Sequence, residues 1–267
     1  MRIGTLRGRA VLIDGERALD VGPSVRDLLP RLDSLSGLDW SDAAQFSVDE
    51  LSAPVTDPRQ VFAIGLNYAP HAAEAGYTVP TEPMVFTKFP SSITGPVSTV
   101  VLPPDGHTDW EVEVVAVVGR GGRDIAESAA WDALAGVTLG QDLSERLLQL
   151  AGRPAQFSLG KSFAGFAPIG PWIVTPDELD DPDDIVFSST LDGVPLQSGR
   201  TADLIFPIPR LVAHLSAVCE LFPGDLIFTG TPEGIGNRLD PPRFLLPGET
   251  LVSRAEGIGE ITQRFST

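Results

Sequence analysis

The chain has 267 residues, 42% hydrophobic and 21% charged, which is enough apolar material for one large domain or a main domain with a small annex and too much for compositional disorder. Against 19 basic residues stand 36 acidic ones, and the formal net charge of −17 repels nucleic acid and anionic lipid, so neither is expected as a partner. The single cysteine, Cys219, excludes an internal disulfide and reads as a small buried apolar residue, and no apolar run approaches the ~20 residues that cross a bilayer.

The N-terminus, MRIGTLRGRAVLIDG, has three arginines spread through it and no long apolar core, unlike a secretory signal, so a cytoplasmic protein is expected. Residues 1 to about 22 form β-type runs around Asp14-Gly15, a hairpin-turn pair. Residues 24–36 read as a short helix with Ser24 as a possible cap, and the Pro- and Asp-rich residues 45–58 read as a linker. This divides the chain into a small αβ N-terminal domain, residues 1–57, and a main domain, residues 58–267. From Gln60 onward the segments VFAIGLN, MVFTKF, EVEVVAVVG, GPWIV, DIVFSSTLDG and DLIFTG predict strands, with helices over roughly 126–135 and 209–220. With 27 Gly and 24 Pro, most of them between strands, the pattern predicts a mostly β, α+β fold of mixed sheets with long functional loops.

The run after Glu113 is apolar at every position, which marks a buried strand. Glu111 and Glu113 sit two apart and so leave the same face of it. Two carboxylates side by side at the mouth of a buried strand repel one another; a divalent cation relieves this, and hard oxygen ligands suit Mg²⁺, Mn²⁺ or Ca²⁺. The plainer alternative is a solvated strand edge. Asp142, in Gly140-Gln141-Asp142, offers a third carboxylate, or else a helix cap. It opens a segment in which Arg146 and Gln149 share one helical face.

Taken together, these residues resemble the fumarylacetoacetate hydrolase family, and within it the branch of acylpyruvate hydrolases and 2-hydroxyhepta-2,4-diene-1,7-dioate isomerases. The resemblance covers about residues 58–260. It rests on Ile64-Gly65-Leu66-Asn67-Tyr68, Glu111/Glu113, Asp142-x-Ser144-x-Arg146, Gly160-Lys161-Ser162-Phe163 with Pro168-Ile169-Gly170-Pro171, and Pro223-Gly224-Asp225 leading to Thr229-Gly230-Thr231-Pro232. It implies a β-roll of mixed sheets, a homodimer, and a small 2-oxo or 1,3-dioxo carboxylic acid as substrate. By position, Glu111, Glu113 and Asp142 become the ligands of Mg²⁺ or Mn²⁺ (Ca²⁺ is a further option), and Arg146, Gln149, Lys161 and Thr231 line the substrate pocket. Lys161 would bind the substrate carboxylate or a developing oxyanion, and Thr231 stands in a Gly-Thr-Pro turn where its N–H and hydroxyl could both meet a ligand.

The smaller acylpyruvate-cleaving members carry a His-x-x-Glu base on a short helix, matched here by His71 and Glu74, whose spacing puts both on one face. Of the other histidines, His214 reads as a satisfied structural residue of the apolar helix and His107 as solvent-facing. Three departures stand out. Ala164 replaces an aspartate common in bacterial members, Pro70 stands where an acid is common, and Leu204 replaces a methionine. The expected reaction is metal-dependent hydrolysis of a carbon–carbon bond in an acylpyruvate-type acid. The same enolate chemistry would serve an isomerase of 2-hydroxydiene dioates or an oxaloacetate-type decarboxylase. A non-catalytic metal- or small-acid-binding protein is the alternative of another class.

Overall fold

The computed structural model describes residues 1–267 except Ser36, Ala75 and Tyr77. Among the described residues the fold is mostly β. One mixed sheet holds twelve strands, and ten of them run in the order Ala44–Gln45, Arg17–Gly22, Arg9–Asp14, Arg2–Leu6, Ala167–Val174, Leu134–Gln141, Val112–Val118, Leu226–Phe228, Val61–Gly65 and Met84–Thr87. Along this order neighbours are antiparallel, except that Leu226–Phe228 runs parallel to Val61–Gly65; off it, Ile93–Thr94 pairs in parallel with Ala167–Val174. A second, five-stranded sheet includes Val186–Leu191, Thr250–Ala255 and Gly259–Ser266 and packs against the first through a shared core.

The strand Val112–Val118 is buried along its whole length. Its alternation divides two cores: Val112, Val114, Ala116 and Val118 face the second sheet and the helix Ile208–Val218, while Val115 and Val117 face the opposite side. Glu111 and Glu113 share the parity of Val115 and Val117. The far end of that same face is covered by Ile3, Leu12, Val25 and Leu28 from the N-terminal segment. Residues 1–57 thus add strands to the main sheet, through Arg2–Leu6 on Ala167–Val174, and share its core.

The Asp14-Gly15 hairpin forms, with Asp14 opposite Arg17. Two predicted helices are shorter than their periodicity suggests. The first is α-helical only over Val25–Leu28, where the Ser24 hydroxyl accepts from the Asp27 N–H. It continues as a 3-10 turn over Leu29–Leu35, kinked at Arg31 after Pro30, which has no N–H to give; the last predicted residue, Ser36, lies outside the described residues. The second is α-helical over Ala130–Ala133, after a 3-10 turn at Glu127–Ala129, because from Leu134 the chain enters a fully buried strand. The helix at Ile208–Val218 matches expectation: Ile208, Leu211, Val212 and Leu215 are buried at helical spacing. Cys219, expected inside, is only partly buried at its end. His214 is about one-third exposed and faces Glu82 at 3.7 Å.

Candidate active site

Sheet register builds the site. Gly140 lies opposite Glu113, Gln141 opposite Val112, and the Asp142 N–H donates to the Glu111 carbonyl at 2.8 Å. Residues 111, 113 and 142 therefore come together, with one carboxylate oxygen from each lying within 4.8 Å of the others, all buried. The solvated-edge and helix-cap alternatives both fall: Glu111 and Glu113 are interior, and the helix Arg146–Leu150 is capped by Glu145, not by Asp142. At the other end of Glu113, the N–H of Gly230 donates to Oε2 at 2.7 Å. Gly230 has φ +107°, and a Cβ there would lie 2.7 Å from that of Asn67, so this donor position requires glycine.

Basic side chains close in on two of the three acids. Lys161 donates to Glu111 Oε2 at 2.7 Å and to Asp142 Oδ2 at 2.5 Å. Arg146, on the helix Arg146–Leu150, donates to Glu111 at 2.7 Å, to Asp109 at 2.8 Å and to the Gln149 side chain at 2.9 Å. Lys88, fully buried, donates to Asp142 Oδ1 at 2.6 Å and to the Lys161 carbonyl. Asp109 also accepts the backbone N–H groups of Gly236 and Asn237, fastening the loop after Thr231 to the site.

Four buried carboxylates thus meet three buried cations, and Glu113 is the one with no basic partner among the described residues. Its acidity follows. Burial first, then the neighbouring Asp142 and Glu111, push the Glu113 carboxyl well above its ordinary range. Burial would raise Glu111 too, but Lys161, Arg146 and His71 outweigh it and hold Glu111 at about 2. Burial lowers Lys88 below the usual lysine range despite Asp142, whereas Asp142 and Glu111 carry Lys161 above it despite burial. A cluster of three oxygen donors that leaves one buried carboxylate without a counter-ion fits a hard divalent cation.

A pocket opens beside this cluster, and His71, Glu111, Arg146, Gln149, Lys161 and Thr231 all line it. The short helix Ala69–Glu74 carries His71, buried, with Nδ1 3.4 Å from Glu74 Oε2, and Glu74 in turn accepts from the Gly234 N–H at 3.3 Å. Pro70 sits in the first turn, where it costs no helical hydrogen bond. Thr231 reaches the pocket, but its hydroxyl serves the scaffold: it donates to the Val112 carbonyl at 3.0 Å and accepts from Gln197 at 2.8 Å. His107 is exposed and stacks on Phe244. Sequence reasoning missed Lys88 and Asp109. A lysine inside the strand-like segment MVFTKF, and an acid directly before the buried strand, were the available signals.

The profile described as fumarylacetoacetate (FAA) hydrolase C-terminal matches residues 60–266. The chain belongs to the fumarylacetoacetate hydrolase family. Within this family, a Burkholderia cenocepacia protein named provisionally as a hydrolase is 42% identical over 262 residues, 92% of this chain and 93% of the relative. A Mycobacterium smegmatis structure named provisionally as an HpcE protein is 50% identical, with a TM-score of 0.92, covering 100% of this chain and 99% of that one. A maleylpyruvate hydrolase from Sphingobium sp. SYK-6, solved with manganese(II) and pyruvate, is 26% identical with a TM-score of 0.83 and full coverage of both chains. Family neighbours of this fold include hydrolases and isomerases, and the acidic triad is a plausible divalent-metal site. No helix among the described residues is long and apolar enough to cross a membrane.

Proposed function

We propose that this chain is a divalent-metal-dependent hydrolase that cleaves a carbon–carbon bond in an acylpyruvate-type acid. The observation that carries the reading is the buried triad Glu111, Glu113 and Asp142, with Glu113 lacking a basic partner among the described residues, beside a pocket lined by Glu111 and His71. The triad would hold Mg²⁺ or Mn²⁺, and the bound ion would supply Lewis acidity toward the substrate's 2-oxo group. Manganese and pyruvate in the Sphingobium relative support that choice.

The protein's own groups supply the rest. Arg146 and Gln149, already linked by a hydrogen bond, orient the carboxylate end of the substrate. His71, steered by Glu74, takes a proton from a water molecule, whose oxygen adds to the distal carbonyl. The bond between that carbon and the pyruvyl methylene breaks, its electron pair passes to the pyruvyl fragment as an enolate, and the acyl fragment leaves as a carboxylic acid. Lys161 faces the developing negative charge, a contact typically worth ~3–4 kcal/mol. The enolate regains a proton as pyruvate.

A second reading draws on neighbours named isomerases at 32% identity. There His71 moves a proton along a 2-hydroxydiene dioate without an attacking water. A homodimer is part of the proposal: Leu147, Leu148, Leu150 and Leu159 are exposed on two adjoining short helices and would give it an apolar face. A cytoplasmic location also belongs to it.

The test follows the ultraviolet loss of the enol for a panel of acylpyruvates, oxaloacetate and a hydroxydiene dioate, with Mg²⁺, Mn²⁺ or chelator. Hydrolysis that is abolished by chelator and by Glu113→Gln supports the proposal. Acylpyruvate turnover that survives both Glu113→Gln and His71→Ala refutes it.

A further inference from the structure

The pocket has two chemical characters. Its inner wall is the charged cluster, most of the remaining side chains are apolar (Ile64, Met84, Phe86, Leu150, Phe157 and Ile235), and Asn237 and Arg238 also line it. The two are joined at Phe86, whose ring lies 4.9 Å from Lys161 Nζ and meets Phe157 edge-on at 5.7 Å between centroids. A substrate whose carboxylate sits at the polar end therefore extends its other end along Phe86 and Phe157.

The buried cations lining the pocket are already engaged: Lys161 by Glu111 and Asp142, Arg146 by Asp109, Glu111 and Gln149. Among the described residues, no buried cation stands beside the apolar six to receive a second carboxylate. Arg238 lies at the exposed rim, where water screens an ion pair. A distal carboxylate pressed against Phe86, Phe157 and Met84 would lose its hydration without a replacement partner.

We infer that the outer half of the pocket is an apolar acyl subsite, so that the substrate's distal group is an uncharged alkyl or aryl substituent and not a second carboxylate. This rests on the acylpyruvate reading above and sets the chain apart from neighbours whose names specify dioates.

Met84 sets the width of the subsite. It pairs with Gly65 across two strands, and a Cβ at residue 65 would fall 2.1 Å from the Met84 methyl. Gly65→Ala must therefore displace the Met84 methyl, a flexible group in the pocket wall.

The experiment measures kcat/KM for acetyl-, butanoyl-, hexanoyl- and benzoylpyruvate and for a succinyl-type acylpyruvate bearing a distal carboxylate. Expected is a rise of about fourfold per added methylene until the subsite fills, with the carboxylate-bearing substrate at least about tenfold below its uncharged isostere. In Gly65→Ala the benzoyl-to-acetyl ratio should fall about tenfold, and Phe157→Ser should flatten the chain-length series. A carboxylate-bearing substrate that equals or exceeds its isostere overturns the inference. If no acylpyruvate is cleaved at all, the reaction assignment fails, but the subsite is still measured: N-alkyl oxamates titrated calorimetrically into the Mn²⁺-loaded protein should bind more tightly as the alkyl chain lengthens, and a flat series overturns the subsite by itself.

Discussion

Replacing Lys88 with methionine keeps most of the volume of a fully buried side chain and removes its ammonium group. The structure specifies what is lost: a charge-assisted bond to Asp142 at 2.6 Å and the donors to the carbonyls of Lys161 and Leu143. Breaking a buried pair by removing one partner costs about 3–5 kcal/mol. Asp142 keeps Lys161 at 2.5 Å, so its charge is not orphaned and the low end, about 3 kcal/mol, applies. At about 2–4 °C per kcal/mol for a chain of this size, Tm should fall by about 6–12 °C. Thermal unfolding followed by circular dichroism in chelator reads this directly. The Kd for Mn²⁺ should also weaken, because Lys88 fixes the orientation of both Asp142 and the Lys161 backbone. A fall in Tm below about 2 °C with unchanged Mn²⁺ affinity would mean that Lys88 only fills space.

The pH behaviour of the metal-free protein should carry the signature of Glu113. Its folded-state pKa is raised, so the folded form keeps a proton that the unfolded form releases; that stability is complete below the ordinary glutamate value and lost as pH rises through the raised one. Glu113→Gln should therefore flatten the decline in metal-free Tm as pH rises above the ordinary glutamate value of 4.5, and a parallel decline in both proteins would count against the assignment. Glu111 has the opposite sign: held at about 2, it contributes stability above its ordinary value of 4.5 that is lost on acidification. Mn²⁺ must displace the Glu113 proton, so its affinity should increase with pH in the wild type, and a calorimetric titration that shows no proton release would refute this. His71→Ala should lower kcat by roughly 10²–10⁴-fold with the Kd for Mn²⁺ unchanged, which separates a base from a ligand.

Much of the site was legible along the chain because its spacing is local. Period-two alternation is enough to put Glu111 and Glu113 on the face of Val115 and Val117, and a spacing of three suffices to set His71 beside Glu74 and Arg146 beside Gln149. The apolar run after Glu113 announced a strand buried on both sides, and the family motifs specified the order of the remaining pieces. Where local signals misled, burial overruled them: helical periodicity at 126–135 gives way at Leu134 to a strand in the sheet interior, and Thr231 turns its hydroxyl to the scaffold.

Only the tertiary structure joined Lys88 to Asp142 across 54 residues, Arg146 to Asp109 across 37 and the Gly230 N–H to Glu113 across 117. Only there do residues from the N-terminal segment close the far end of the face that carries the triad. The reason is that side-chain periodicity is a property of a few consecutive residues, whereas the balance of four buried carboxylates against three buried cations depends on sheet register, which the whole fold sets at once.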